Sequence, residues 1–243
     1  MAEEVRELEN GNRIVGQARG NASLQFLGHD SVLTFGEGCQ LSDVRFYIGS
    51  NVKASFGRWT TWNHGDICLH QGSASLTVDD RCSLGGDIEI APQGSVHIGE
   101  GTTTPSGRVG MPGNVFSVSP WTSLDIGKGC AISWGVTFLT NDGHTIFDVR
   151  TGQNLNSTEE ISRKRKIVVG DHVWIGCMST ILYGSIIGDG SIIGAHSLVK
   201  RRVPNNCLAA GNPTRIIRRD VAWSRDNCDL DIAHCGPYVQ FTE

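Results

Sequence analysis

Large aliphatic residues recur every six positions in the C-terminal third of the chain, each followed four places later by a small or β-branched residue. The aliphatic positions are Val169, Ile175, Ile181, Ile187, Ile193 and Val199, and the small positions are Val173, Ser179, Ser185, Ser191, Ser197 and Val203. A six-residue period fits neither an α-helix nor a simple β-strand. It predicts a chain that turns a corner after each short flat side. Glycine directly follows four of the aliphatic residues, and we expect it to relieve the bend.

The same spacing recurs earlier in the chain. It is kept by Val78, Leu84 and Ile90, and again by Ile126, Ile132 and Phe138. If each unit is one side, about eighteen residues complete a three-sided coil, and the coils stack in a one-dimensional array that needs caps. The pattern therefore predicts an all-β protein, a parallel β-helix of hexapeptide repeats.

Two stretches interrupt the repeat and predict surface loops. One is rich in Pro, Gly and Ser over 104–114, and the other is polar over 150–166. Residues 1–20 are highly charged, which predicts a loose N-terminal segment before a β-helix domain over 21–212. Pro213 opens a stretch that predicts a short C-terminal helix, within a C-terminal segment over 213–243. The polar tail over 224–243 carries no readable signal.

Composition and charge narrow the class of protein. The 243 residues include 31 glycines and carry a net charge of −4, which does not indicate nucleic-acid binding. No signal peptide and no apolar stretch of membrane-spanning length is evident, so we expect a cytoplasmic protein without membrane insertion. The eight cysteines show no metal-binding spacing, and we expect reduced thiols.

The stretch from Ile126 to Arg219 resembles the hexapeptide-repeat acyltransferases, in particular the sugar O-acetyltransferases of the galactoside, maltose and polysaccharide type. The matching motifs are Asn141-Asp142-Gly143-His144, Val169-Gly170-Asp171-His172-Val173-Trp174-Ile175-Gly176, Ile193-Gly194-Ala195-His196-Ser197-Leu198-Val199-Lys200 and Ala210-Gly211-Asn212-Pro213-Thr214-Arg215. The resemblance implies a left-handed winding, a homotrimer, acetyl-CoA as donor and active sites between neighbouring subunits. Left-handed crossovers are otherwise exceptional, so the handedness rests on the resemblance.

The resemblance also implies a catalytic base. Transfer of an acetyl group to an alcohol requires removal of the hydroxyl proton, and histidine is the usual base near neutral pH. His144 occupies the position of the family's catalytic histidine and opens the longest loop. Asp142 or Asp148 could orient its ring, although a backbone carbonyl could do so equally well.

Two further residues are candidates near the oxyanion that forms during transfer. Trp174 matches the family tryptophan beside the thioester, where its indole N–H or a nearby backbone N–H could act as donor. Asn114 lies close to where related enzymes carry a substrate-binding or oxyanion-binding asparagine. The alternative for Trp174 is a packed corner aromatic.

Coenzyme A is expected to lie along one edge of the stack. Small residues at Cys177, Gly194 and Ala195 match positions where its pantetheine arm lies close to the backbone. Lys200, Arg201, Arg215 and Arg218 match cationic positions that reach its phosphates. The alternative for these cations is a solvated rim. The basic run at 163–166 is more typical of a solvated loop, or of attraction to an acidic glycan.

We therefore expect an acetyl-CoA-dependent O-acetyltransferase that acts on a sugar hydroxyl in polysaccharide or glycan biosynthesis, by direct attack with His144 as base. The alternatives are N-acetylation of a nucleotide-linked amino sugar, O-acetylation of an antibiotic, and a non-catalytic scaffold. Some proteins of this fold bind zinc through histidines five apart. His64 and His70 are six apart, so no metal is expected.

Overall fold

A computed structural model describes residues 4–105, 111–156, 166–225 and 237–243 of the chain. These residues form mostly short β-strands and include the short 3₁₀ helix Glu9–Gly11. Strands β1 to β8 are Val5–Glu7, Arg13–Gly16, Arg19–Gly20, Ser23–Phe26, Val32–Phe35, Gln40–Ile48, Lys53–Phe56 and Thr61–Leu69. Strands β9 to β17 are Ser75–Val78, Ser83–Leu84, Asp87–Ile90, Ser95–Ile98, Val115–Val118, Ser123–Ile126, Ala131–Ile132, Thr137–Leu139 and Ile167–Val169. Strands β18 to β25 are Trp174–Ile175, Thr180–Leu182, Ile186–Ile187, Ile192–Ile193, Leu198–Val199, Arg202–Val203, Leu208–Ala210 and Arg215–Arg218.

The parallel strands form three faces, which are visited in the same order in every coil. Face A contains β2, β5, β7, β9, β12, β14, β17, β20 and β23. Face C contains β3, β10, β15, β18, β21 and β24, and face B contains β4, β11, β13, β16, β19 and β22. The long strands β6 and β8 bend at Asp43 and His64 and contribute to both C and B. The chain passes from A to C to B, which defines three edges: AC, CB and BA.

The six-residue period is confirmed in the C-terminal coils. Val169 pairs with Ile187 in the parallel sheet of face A, and Ile175 pairs with Ile193 in that of face C. Residues eighteen positions apart are therefore stacked. All six aliphatic side chains are buried. The serines at the small positions are also buried, and their hydroxyls donate to backbone carbonyl oxygens at the corners. The predicted parallel β-helix of hexapeptide repeats is therefore confirmed.

The N-terminal coils are longer than the predicted eighteen residues. Leu33 pairs with Ala54, and Ala54 with Leu76, so these coils take 21 and 22 residues. Because protein interiors are close-packed, a longer coil needs larger side chains inside it. Ring centroids 5.2–6.5 Å apart link the aromatic side chains Phe35, Phe46, Phe56, Trp62, Phe116 and Phe138.

The glycines of the repeat have a different role from the expected relief of a bend. At Gly176 the backbone is not in the left-handed region, but an added Cβ would lie 2.5 Å from the Ala195 nitrogen and 2.9 Å from its Cα. The close approach of the next coil therefore requires glycine there. The left-handed corner positions are instead occupied by residues such as His172, Met178 and His196.

Both ends of the stack differ from the prediction. The N-terminal segment is not loose, because β1 pairs antiparallel with β2, and β2 is the first parallel strand of face A. The predicted C-terminal helix is wrong: β25 is a strand that pairs antiparallel with β24. Ile216 and Ile217 are β-branched residues that favour strands. Their segment satisfies backbone groups of β24 that would otherwise form an open sheet edge.

The interruptions of the repeat leave the stack at its edges. The predicted loop over 104–114 lies at edge CB before β13. The predicted loop over 150–166 begins earlier than expected, because β16 ends at Leu139, and it lies at edge BA before β17. Residues 106–110 and 157–165 lie outside the described residues. Since loops at the edges leave the ladder of strands intact, the coils on either side of each interruption still pair in register.

The six cysteines within the described part of the chain are free thiols. Burial raises the pKa of Cys39 and Cys130 to about 12 and that of Cys82 to about 11, so these thiols are protonated at neutral pH. Cys228 and Cys235 lie outside the described residues. No helix among the residues that the structure describes has the length and apolar character of a membrane span.

A substitution at Gly176 tests the close stacking of coils. We expect Gly176→Ala to lower the free energy of unfolding by about 1–3 kcal/mol, because its Cβ meets fixed backbone rather than a flexible side chain. Urea denaturation measures the change. Gly113→Ala is the matched control, since a Cβ there would lie 3.7 Å from the Gly86 Cα in ordinary contact. Equal stability of the two variants would contradict the stacking argument.

Candidate active site

His144 lies on the loop that leaves edge BA after β16. Its side chain is exposed and borders an open cavity of about 350 Å³. The lining residues are Ser119, Asn141, Asp142, Gly143, His144, Thr145 and Asn156. Apart from the glycine, every one of these side chains carries a hydrogen-bonding group. The cavity is therefore suited to a ligand with several polar groups.

Asn156 holds the His144 loop through the backbone of His144 and Ile146 and the side chain of Asp142. Its Nδ2 donates to the His144 carbonyl oxygen at 2.7 Å and to Asp142 Oδ2 at 3.1 Å. Its Oδ1 accepts the backbone N–H of Ile146 at 2.7 Å. One side-chain amide thus connects three points of the loop and positions the catalytic candidate.

Asp142, which we considered as the residue that orients His144, belongs to a polar cluster at this edge. Its Oδ2 accepts a hydrogen bond from the Tyr183 hydroxyl at 3.0 Å as well as the one from Asn156. The Lys200 Nζ lies 5.3 Å from the centroid of the Tyr183 ring, in cation–π geometry. Lys200, expected near coenzyme phosphates, therefore lies close to the His144 loop.

Asp148, the other carboxylate considered for His144, stabilises the tip of the loop. Its Oδ1 accepts the backbone N–H groups of Thr151 and Arg150, both at 2.8 Å. These hydrogen bonds lower the pKa of the Asp148 carboxyl, because they stabilise its ionised form. The turn uses this oxygen, which makes Asp142 the stronger candidate beside His144.

Trp174 lies on face C, where β18 pairs with β15 and β21. Its side chain is 44% exposed. It borders a second cavity of about 320 Å³. The other lining residues are Thr103, Thr104, Pro105, Ala131, Ile132 and Ser133. Within this chain the indole is therefore only partly packed and is accessible from the cavity.

Cys177 and Ala195 occupy successive corners of edge CB, next to face C. The backbone N–H of His196 donates to the Cys177 carbonyl oxygen at 2.9 Å, which stacks the two corners. Gly194 is close to the next coil of the stack, since an added Cβ would lie 2.8 Å from the Ala210 Cβ. These corners present small side chains in a column, as expected for a slender ligand that approaches the backbone.

The predicted phosphate-binding cations fall into two groups. Arg215 and Arg218 are exposed on β25, which closes face C next to this column. Lys200 and Arg201 lie instead at edge BA, between β22 and β23. Residues 163–165 of the basic run in the loop lie outside the described residues.

The predicted site residues are thus divided between two edges of one chain. His144, Asp142, Lys200 and Arg201 are at edge BA. Trp174, Cys177, Gly194, Ala195 and Arg215 are on face C or at edge CB. Face B lies between the two groups, so a single chain does not bring the histidine next to the tryptophan.

Asn114 does not border the His144 cavity. Its side chain is buried, and its Oδ1 accepts the backbone N–H of Val136 at 2.8 Å. This contact links the corner before β13 to the corner one coil later. The structure therefore shows Asn114 in coil stacking, and its expected role at the oxyanion stays a prediction.

The C-terminal segment over 213–243 contributes Trp223, which lies beside Trp174. The Trp223 ring stacks on His172 with centroids 4.1 Å apart, and Tyr238 stacks on the same imidazole at 4.9 Å. The Trp223 Nε1 donates to the His172 carbonyl oxygen at 2.8 Å, and the Trp223 ring lies 6.1 Å from that of Trp174. This segment thus forms one wall next to face C.

The histidines considered for zinc have separate carboxylate partners. His64 Nδ1 lies 3.4 Å from Asp43 Oδ2, and His70 Nε2 lies 3.0 Å from Glu89 Oε1. Within the described ranges, no group of three His, Cys, Asp or Glu side chains is arranged to hold a metal ion.

Tyr183, Asn156 and Trp223 were not identified from the sequence. Asn156 was visible only as one polar residue of a polar loop, and Tyr183 only as an aromatic residue beside a small corner position. Their roles depend on contacts with residues 14, 41 and 51 positions away. No local pattern reports such contacts.

Comparison with known proteins identifies the family to which the repeats and the relatives of this chain belong. Residues 166–201 match the bacterial transferase hexapeptide family (six repeats). The chain is 50% identical over 158 residues to the galactoside O-acetyltransferase of Escherichia coli strain K12, covering 65% of this chain and 73% of that enzyme. It is 34% identical over 166 residues to the polysialic acid O-acetyltransferase of Escherichia coli O1:K1, covering 67% of this chain and 50% of that protein. The chain thus spans about half the length of that relative.

A solved structure extends the similarity beyond the repeat. The polySia-specific acetyltransferase NeuO is 26% identical, with a TM-score of 0.58, and the match covers 90% of this chain and 82% of NeuO. A second structure, the polysialic acid O-acetyltransferase OatWY, shares the fold at 21% identity and a TM-score of 0.61, over 88% of this chain and 95% of OatWY. The stacked coils, the matched repeats and these relatives agree, and the chain belongs to the hexapeptide-repeat, left-handed β-helix acyltransferase family.

Proposed function

We propose that this protein transfers an acetyl group from acetyl-CoA to a hydroxyl of a saccharide, with His144 as general base. The observation that carries the proposal is the exposed His144, whose loop is held by Asn156 and which borders a cavity lined by polar side chains. Relatives named as acetyltransferases of galactosides and of polysialic acid support the reaction and the acceptor class. A polar cavity favours a sugar over an apolar antibiotic.

His144 supplies the proton transfers that the reaction needs. Acetyl-CoA contributes an acetyl group activated as a thioester. The imidazole accepts the proton of the attacking hydroxyl and returns it to the departing thiolate, so the histidine is unchanged after each turnover. Asp142, held by Tyr183 and Asn156, lines the same cavity as His144 and is our candidate for the residue that orients the imidazole. Direct attack requires no acyl-enzyme.

The residues of face C and edge CB fit the shape of coenzyme A. Cys177 and Ala195 leave the backbone accessible at successive corners, which suits a narrow pantetheine chain. Arg215 and Arg218 lie further along the same direction and are available for phosphates. The indole of Trp174 forms an exposed wall beside this path.

A second copy of the chain is needed to complete the site. His144 at edge BA and the coenzyme path at edge CB belong to different surfaces of the chain. A subunit contact that joins them uses a different surface of each copy and is therefore heterologous. Heterologous contacts close into rings when the rotation allows it. A prism with three edges suits a cyclic trimer, in which each site takes His144 from one copy and the coenzyme path from its neighbour.

Removal of the base tests the chemistry. We expect His144→Ala to lower kcat by about 10²–10⁴-fold while acetyl-CoA binds with unchanged affinity, because the imidazole acts on the proton and not on coenzyme binding. Thiol release measures turnover and calorimetry measures binding. His97→Ala is the control, since His97 is an exposed histidine on face A that pairs with Asp79. Normal turnover by the His144 variant would refute the assignment, and a protein without saturable acetyl-CoA binding would indicate a scaffold.

The loop contacts of Asn156 give a second test. We expect Asn156→Ala to lower kcat by about ten-fold or more with an unchanged KM for acetyl-CoA, because a misplaced base loses its alignment with the hydroxyl. Steady-state kinetics measure both constants. Gln153→Ala, at an exposed position of the same loop, should retain wild-type values. Equal effects of the two variants would contradict the positioning role.

Mixed oligomers test the shared site. His144→Ala and Ala195→Trp should each be inactive alone, the first without a base and the second with a blocked coenzyme path. Co-expression in equal amounts should restore about a quarter of the wild-type activity, the fraction of random neighbours that pair an intact histidine with an intact path. If doubly tagged mixed oligomers show no activity, His144 and the path belong to the same copy.

A further inference from the structure

We infer that edge BA binds a saccharide chain, which runs along polar corners, stacks on Trp121 and ends at His144. The inference rests on the proposed function and specifies its acceptor as an oligomeric or polymeric saccharide. The candidate surface consists of Trp121 and the corner residues Gln93, Ser73 and Asn51, and we call it the BA track.

Trp121 is an unusual residue for its position. It follows Pro120 in the turn between β13 and β14, with φ 56°, and its side chain is 55% exposed. The left-handed region is unfavourable for a bulky side chain. An exposed indole also lacks the hydrophobic stabilisation that burial would provide. The corners below carry Asn51, Ser73 and Gln93 in the same conformation, so the coil geometry also accepts small or amide side chains. An exposed indole here indicates a role in binding.

The turn that carries Trp121 is fixed to the base of the His144 loop. Thr140, the last residue before that loop, is buried, and its Oγ1 accepts the backbone N–H of Ser119 at 2.8 Å. The Thr122 and Thr140 hydroxyl oxygens lie 2.7 Å apart. Ser119, two residues before the indole, itself lines the His144 cavity. The turn that carries Trp121 therefore borders the candidate active site.

The corners beneath Trp121 form a regular column. The N–H of Gln93 donates to the Gly72 carbonyl oxygen at 2.8 Å, and the N–H of Gly72 donates to that of Ser50 at 3.0 Å. A Cβ at Gly94 would lie 3.1 Å from the Ser119 carbonyl oxygen, which shows that the Trp121 turn rests on the corner of Gln93. Coils repeat about every 4.8 Å, so the column presents a hydrogen-bonding side chain at short, even intervals.

The chemistry of the BA track matches a sugar chain better than other polymers. The flat C–H face of a pyranose ring packs against an indole, while the hydroxyl rim needs hydrogen-bonding partners with both donors and acceptors. The side chains of Asn51, Ser73 and Gln93 are exposed and supply both. They are uncharged, which does not suit the phosphates of a nucleic acid.

Trp59 provides a built-in comparison. It is 58% exposed with φ 59°, in the same backbone conformation as Trp121, but it lies at edge AC. A Cβ at Gly38 would overlap its ring, so this indole packs on the coil below it. Contact with the preceding coil therefore explains why a tryptophan occupies position 59. Because Trp59 lies away from the His144 cavity, its substitution is the matched control for the loss of an exposed indole.

The test compares Trp121→Asn, Trp121→Phe and Trp59→Asn with the wild type. Asparagine is accepted in the left-handed region and occurs at the corresponding corner in Asn51, so the fold should be retained. The probes are α2,8-linked sialic acid and maltose-type oligomers, each from monomer to hexamer. Kinetics with acetyl-CoA give KM and kcat, calorimetry gives oligomer binding without acetyl-CoA, and light scattering gives the oligomeric state.

We expect Trp121→Asn to raise KM and Kd for the hexamer of the preferred series by about ten-fold, with kcat and the values for the monomer nearly unchanged. Trp121→Phe should recover most of the loss, and Trp59→Asn should behave as wild type. Equal hexamer affinity in wild type and Trp121→Asn, or no oligomer binding by the wild type, overturns the inference. So does a changed oligomeric state of Trp121→Asn, which would place the ring in a subunit contact. Oligomer binding that depends on Trp121 without acetyl transfer would refute the proposed function and leave the BA track supported.

Discussion

The whole molecule depends on the parallel stacking of one coil on the next. Each strand pairs in register with the strands one coil before and after, and each buried aliphatic residue packs on its equivalent in the adjacent coil. At positions such as Gly176 the next backbone is so close that a side chain has no room. This constraint extends along the stack, so variation in length and chemistry is confined to the edges and the ends.

The location of the candidate site follows from that constraint. The loop of His144 and the turn of Trp121 both emerge at edge BA, where extra residues do not break the ladder of strands. A rigid stack keeps this edge apart from face C, which carries Trp174 and the small corners. Within one chain, edge BA and face C stay apart, which is why the proposed site takes its parts from two copies. The C-terminal segment contributes by packing Trp223 against His172, next to face C.

The sequence predicted some parts of the structure better than others, and the reasons are physical. The hexad from Val169 to Val199 reports burial directly, because each sixth residue faces the interior. The wider N-terminal coils did not follow an eighteen-residue period, since aromatic side chains such as Phe56 and Trp62 fill a larger interior. The segment after Pro213 was predicted as a helix from its local pattern, but the unpaired edge of β24 makes it a strand. Asn114 was named from the resemblance, and only the structure shows that its side-chain oxygen accepts the Val136 N–H.

The sequence by itself determined the β-helix, the family resemblance, the loops and the identity of His144 as the base candidate, because these depend on local periodicity and on short motifs. Only the tertiary structure decided that Asn156 and Tyr183 hold Asp142 and the His144 loop, and that Lys200 lies with them at edge BA. It also placed Trp121 above a column of polar corners and Trp223 beside Trp174. These arrangements arise from contacts between residues far apart in the chain, which come together only when the coils stack.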